Sequence, residues 1–120
     1  MKLKMLLAVA LLALASACAT PQSPQEVVFQ ARGAQNVALR AAVEYKRLTP
    51  CAVPAKQPCS DKAVVAQLQK ADKVADTALA AAESAVRTPG FGANVIDSAV
   101  TAAKAALAAF QSIVATFGSK

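Results

Sequence analysis

The chain has 120 residues, 56% of them hydrophobic but only 4% aromatic, with 13 Lys and Arg against 7 Asp and Glu. It contains no histidine, so the commonest general base and the commonest metal ligand are both missing. The net charge of +6 is spread without a basic run and with few aromatics to stack bases, which argues against nucleic-acid binding.

Met1-Lys2-Leu3-Lys4 is a short cationic start, followed by an apolar run of 11 residues from Met5 to Ala15 and then small residues. Charged start, apolar stretch and small-residue cleavage site occur in the order of a secretory signal, expected over residues 1–17. A membrane-spanning helix needs roughly 20 apolar residues, so the run is too short for a permanent span. Without Lys2 and Lys4 the exported chain carries a net +4.

Ala15-Ser16-Ala17-Cys18 resembles a bacterial lipobox, with Ala15 where the pattern usually has Leu. The resemblance implies cleavage before Cys18, a diacylglyceryl thioether on its sulfur and an acylated amino terminus. Ala19 is not the Asp that marks inner-membrane retention in enteric bacteria, which favours the outer membrane, facing the periplasm. The alternative is ordinary cleavage after Ala17 or Ala19, releasing a soluble periplasmic protein. With Cys18 lipidated, the odd cysteine count leaves Cys51 and Cys59 as a pair in an oxidising compartment. A metal site there lacks ligands, and a disulfide closing so short a loop is worth ~2–3 kcal/mol on the chain-entropy account. Residues 18–22 are then the lipidated terminus and tether, and residues 23–120 the folded domain.

Ser23-Pro24-Gln25-Glu26 reads as a capping box with proline at the first helical position. An apolar stripe follows at Val27, Ala31, Ala34, Ala38, Ala41, Tyr45 and Leu48, a heptad spacing. Lys46 and Arg47 suit the dipole of the last turn, and Pro50 stops the helix. Gly33 is either a local weakness or a point of close helix approach. The second helix starts near Ser60 or Asp61 and runs to about Arg87, with a stripe of Val64, Leu68, Ala71, Ala75, Ala78, Ala82 and Ala85 flanked by Val65, Leu79 and Val86. Thr88 to Gly92, "TPGFG", breaks it.

A third helix is expected from Asn94, with Asp97 as a capping partner, to a stop at Gly118. Its stripe is Ile96, Val100, Ala103, Leu107, Phe110, Val114 and Phe117. Asp97, Thr101, Lys104, Ala108 and Gln111 fall on its opposite face. No period-two alternation predicts a strand. The fold class is all-α: an antiparallel up-down-up three-helix bundle, alanine-rich, with the Cys51–Cys59 loop between helices one and two. The alternative is a helical hairpin that exposes its third stripe for self-association. Alanine favours helix but buries little area, so the core is marginal, and the disulfide or oligomerisation would offset this.

No catalytic, cofactor-binding or metal-binding residue is assigned. Asp72 and Asp76 are four apart on one face, but Lys70 and Lys73 beside them make a solvated helix face the simpler reading. Tyr45 and Ser84 lack activating partners, and "TPGFGAN" lacks the Lys and Ser/Thr of a P-loop. The chain reads as non-enzymatic, with no cofactor and no small-molecule substrate. Its partners are the membrane, through the anchor, and a protein or a second copy. In that reading it is a structural or interaction module of the cell envelope.

A lipidated start, heptad-patterned helices and a terminal Lys120 are also similar to the major outer-membrane lipoprotein of enteric bacteria, whose terminal lysine is joined to peptidoglycan. That resemblance implies a tether through Lys120, although "GSK" lacks the family's aromatic-basic ending and the chain folds back on itself. A third reading is a small accessory lipoprotein of a mobile element, acting in lysis or exclusion.

Overall fold

In the computed structural model, residues 21–52 and 57–117 are described. The expected leader, Cys18, the Gly118 stop and Lys120 lie outside these residues.

Helix α1 spans Pro24–Arg47. The capping box is formed in full: the Glu26 N–H donates to Ser23 Oγ at 3.3 Å and the Ser23 N–H to Glu26 Oε2 at 2.8 Å, satisfying two donors that the first turn would otherwise leave open. The helix ends as the chain turns extended at Leu48. Helix α2 spans Lys62–Arg87, capped by Asp61, whose Oδ1 accepts from the Ala63 and Val64 N–H groups at 2.7 and 3.3 Å. Gly90 then reverses the chain at φ +95°, a conformation open to glycine.

Helix α3 spans Ala93–Phe117, starting one residue before the expected Asn94. Asn94 is inside the helix. The Gly92 carbonyl accepts the first bonds, from the Val95 and Ile96 N–H groups at 3.0 and 3.3 Å, so the glycine takes the capping position that the Asn94–Asp97 pairing assigned to a side chain.

The three helices form an antiparallel up-down-up bundle in which every pair packs, α2 with α3 most extensively. Two apolar clusters fill it. Val28 and Ala31 meet Leu79, Ala82, Ala103 and Leu107 at the end where the chain enters at Ser23. Ala38, Ala42 and Tyr45 meet Leu68, Ala75 and Phe110 toward the disulfide end. Alanines in the seams let the axes approach, while Leu79 and Phe110, both fully buried, supply volume. Burying a side chain such as Phe110 is worth roughly 1.5–3 kcal/mol.

In α2 the expected Leu68, Ala75, Ala82 and Ala85 are buried, Val64, Ala71 and Ala78 are half-buried, and Leu79, expected on a flank, is fully buried; in α3 Ala103, Leu107 and Phe110 are buried and Ile96, Val100, Val114 and Phe117 half-buried. In α1 the buried set is Val28, Ala31, Gln35, Ala38, Ala42 and Tyr45. Three positions of the expected stripe move one residue on, to Val28, Gln35 and Ala42: Val27, Ala34 and Ala41 are only half-buried. Gln35 can occupy a buried position because its amide is bonded to Arg32 and Asp72.

The connection from α1 to α2 is closed by the Cys51–Cys59 disulfide. Ser60 reinforces it: its N–H donates to Thr49 O at 2.9 Å, its Oγ to Leu48 O at 2.9 Å, and its carbonyl accepts from the Cys51 N–H at 3.0 Å. Pro50 and Ser60 form an isolated parallel bridge, and no strand occurs among the described residues.

Candidate functional site

The polar groups that gather along the α1–α2 seam do so around Arg32 of α1. Its Nε donates to Glu83 Oε1 at 2.6 Å, and one terminal nitrogen donates to Asp76 Oδ1 at 2.5 Å and to Gln35 Oε1 at 2.7 Å. The Gln35 amide nitrogen donates in turn to Asp72 Oδ1 at 3.2 Å. The result is a ladder of hydrogen bonds running along the α1–α2 seam. Arg32 and Glu83 are about three-quarters covered, whereas the Asp76 side chain is 62% exposed.

The guanidinium beside Glu83 holds that carboxyl below its ordinary range, against the opposing effect of partial burial. The reciprocal bond raises Arg32 further above neutrality. Asp72 and Asp76 therefore do more than line a solvated face: both are bonded to α1. Arg32 occupies the place a cation would take between Asp76 and Glu83, and among the described residues no group of three His, Cys, Asp or Glu is arranged to hold a metal.

The other residues singled out by sequence have structural positions. Tyr45 is buried, and its hydroxyl accepts the Asp61 N–H at 3.0 Å, tying the end of α1 to the start of α2. The Ser84 carbonyl accepts from Thr88 at the end of α2. Glu26 and Asp61 are helix caps, and Glu44 lies 3.9 Å from Arg47 on the surface. Cys59 is buried and Cys51 exposed. Arg32, Gln35 and Glu83 were not distinguished from the sequence. Their signal is weak: Gln35 interrupts an otherwise apolar register, with Arg32 one turn before it.

Two open grooves run along the α1–α2 seam. One, of about 440 Å³, has Val28 and Val86 at its base, with Phe29, Arg32, Glu83 and Arg87 around it. The other, of about 230 Å³, lies between Leu39, Val43, Val65 and Leu68. Neither brings a nucleophile to a base. Phe29 and Val37 of α1, by contrast, are 81% and 70% exposed, which is large for apolar side chains on a small bundle. Helix α3 is long and apolar enough to cross a membrane by length and composition, yet its Ala103, Leu107 and Phe110 are core residues of the bundle.

Comparison with family models, with curated proteins and with solved structures finds no match for this chain.

Proposed function

We propose that the chain is a small, non-enzymatic interaction module of the bacterial cell envelope, lipid-anchored through Cys18 and facing the periplasm from the outer membrane. The observation that carries this reading is the pairing of Cys51 with Cys59. Such a bond suits an exported protein, and it leaves Cys18, at the end of the apolar leader, as the odd cysteine. The lipobox resemblance gives that cysteine its chemistry. A three-helix body held by a polar ladder and a disulfide suits a rigid element that presents a surface.

The test is fractionation and metabolic labelling with a fatty acid in a Gram-negative host. The wild-type chain is expected in the membrane fraction and labelled. Cys18→Ala is expected to lose the label and to leave carbonate-washed membranes. Retention of Cys18→Ala in those membranes would refute the anchor. The tether through Lys120 is supported by one feature of the fold: α3 ends at the end of the bundle away from Ser23, the direction a link to peptidoglycan needs. A muramidase-released, detergent-resistant fraction would establish it.

A further inference from the structure

Gly33 lies in the middle of α1 and is exposed. A glycine inside a helix costs about 1 kcal/mol relative to alanine. A Cβ placed on Gly33 would meet nothing within 4 Å, so packing within one copy gives no reason for glycine in a chain that uses alanine freely. At 3.6 residues per turn, Gly33 sits opposite the buried set of Val28, Ala31, Gln35, Ala38, Ala42 and Tyr45, at the centre of the outward face.

Within about 60° of Gly33, its three nearest neighbours on each side fall at matched distances, while exposed Glu44 and Arg47 continue the face toward the end of α1, past the point where an antiparallel second helix begins. Exposed Phe29 and Val37 stand four residues before and after it, the polar amides Gln30 and Asn36 three, and the opposite charges Glu26 and Arg40 seven. We infer that this face of α1 binds a second copy of the chain, antiparallel, with the two-fold axis passing at Gly33. The antiparallel pairing sets Phe29 against Val37 of the second copy, Gln30 against Asn36 and Glu26 against Arg40, each contact made twice, as a two-fold interface requires. The parallel pairing would set Arg40 on Arg40 and Glu26 on Glu26, which charge disfavours. Phe29, Gly33 and Val37 form an i±4 ridge with a gap at its centre, the shape that lets two such ridges interlock at close backbone approach.

A face built on one helix is small beside standard interfaces of roughly 20–30 residues a side, so the dimer depends on concentration. The two entry points at Ser23 then lie about 30 Å apart along the helix axis. Two copies anchored in one leaflet, as the proposed function has them, therefore pair with their helices lying along the bilayer, an arrangement that excludes the upright bundle a Lys120 tether needs.

The test is oxidative cross-linking of the full chain in membranes, with wild type alongside to account for Cys18. Gly33→Cys is expected to give a reductant-sensitive dimer. Phe29→Cys alone is expected to give none, and the double variant Phe29→Cys/Val37→Cys to restore it. Adding Arg40→Glu to Gly33→Cys replaces two attractive pairs by two repulsive ones, and is expected to weaken association about tenfold. Two results would overturn the inference. In one, Gly33→Cys dimerises no more than the exposed α2 control Thr77→Cys. In the other, Phe29→Cys alone cross-links as well as Gly33→Cys does, the mark of a parallel contact.

Discussion

Arg32 bonds to Glu83, Asp76 and Gln35 at once, and a double-mutant cycle separates these contacts. Arg32→Met keeps the aliphatic stem and removes the guanidinium. The pair with Glu83 is charge-assisted and largely covered, which places its coupling at about 1.5–2 kcal/mol, toward the low end of hydrogen bonds to charged groups. The pair with Asp76 is equally short but ends on an exposed carboxylate, so its coupling is below ~1 kcal/mol. Gln35 keeps its bond to Asp72 when Arg32 is lost, leaving about 1 kcal/mol for its share. Arg32→Met is therefore expected to destabilise the bundle by ~2.5–4 kcal/mol, a large part of the 5–15 kcal/mol typical of a folded protein. The assay is urea unfolding followed by helical circular dichroism for wild type, Arg32→Met, Glu83→Gln, Asp76→Asn and the two double variants. A coupling with Asp76 equal to or above that with Glu83 would refute the argument that coverage, rather than distance, sets the strength of these contacts.

The pH dependence of the same contact has a definite sign. Glu83 is held below its ordinary value by Arg32, so its contribution is present above the carboxyl's unfolded value and is lost as pH falls through its folded value. Wild type is expected to lose more stability than Glu83→Gln as pH falls below about 4.5, the ordinary carboxyl value, in chemical melts at pH 3, 5 and 7. Phe110→Ala empties a fully buried position and is expected to cost about 3–5 kcal/mol, enough to lower the thermal midpoint by well over 10 °C. Cys51→Ser/Cys59→Ser opens the loop and is expected to cost about 2–3 kcal/mol, read as the difference in urea midpoint between the variant and the oxidised wild type. Tyr45→Phe leaves the Asp61 N–H without its acceptor and is expected to cost about 1 kcal/mol in the same assay.

The helices were legible because their punctuation is local. Ser23-Pro24-Gln25-Glu26, Asp61 and the Gly90 turn each act within a few residues, and each is found in place. The stripe of α3 was legible because its residues are large, and burial of Phe110 or Leu107 leaves little choice of face. The seam of α1 was harder to read because alanine marks both its inward and outward sides, and because polarity hid Gln35. The Arg32 ladder was not legible at all. Its members come from positions 32, 35, 72, 76 and 83, and only the antiparallel pairing of α1 with α2 brings them together.

The anchor at Cys18 is the centre of the account, and intact mass spectrometry of protein extracted from membranes of a Gram-negative host, with and without reductant, tests it most directly. The account predicts the mass of residues 18–120 plus a diacylglyceryl group and an acyl chain, rising by the mass of two hydrogens when Cys51 and Cys59 are reduced. An unmodified mass, recovered from the soluble fraction with Cys18 removed or carrying a free thiol, would contradict it.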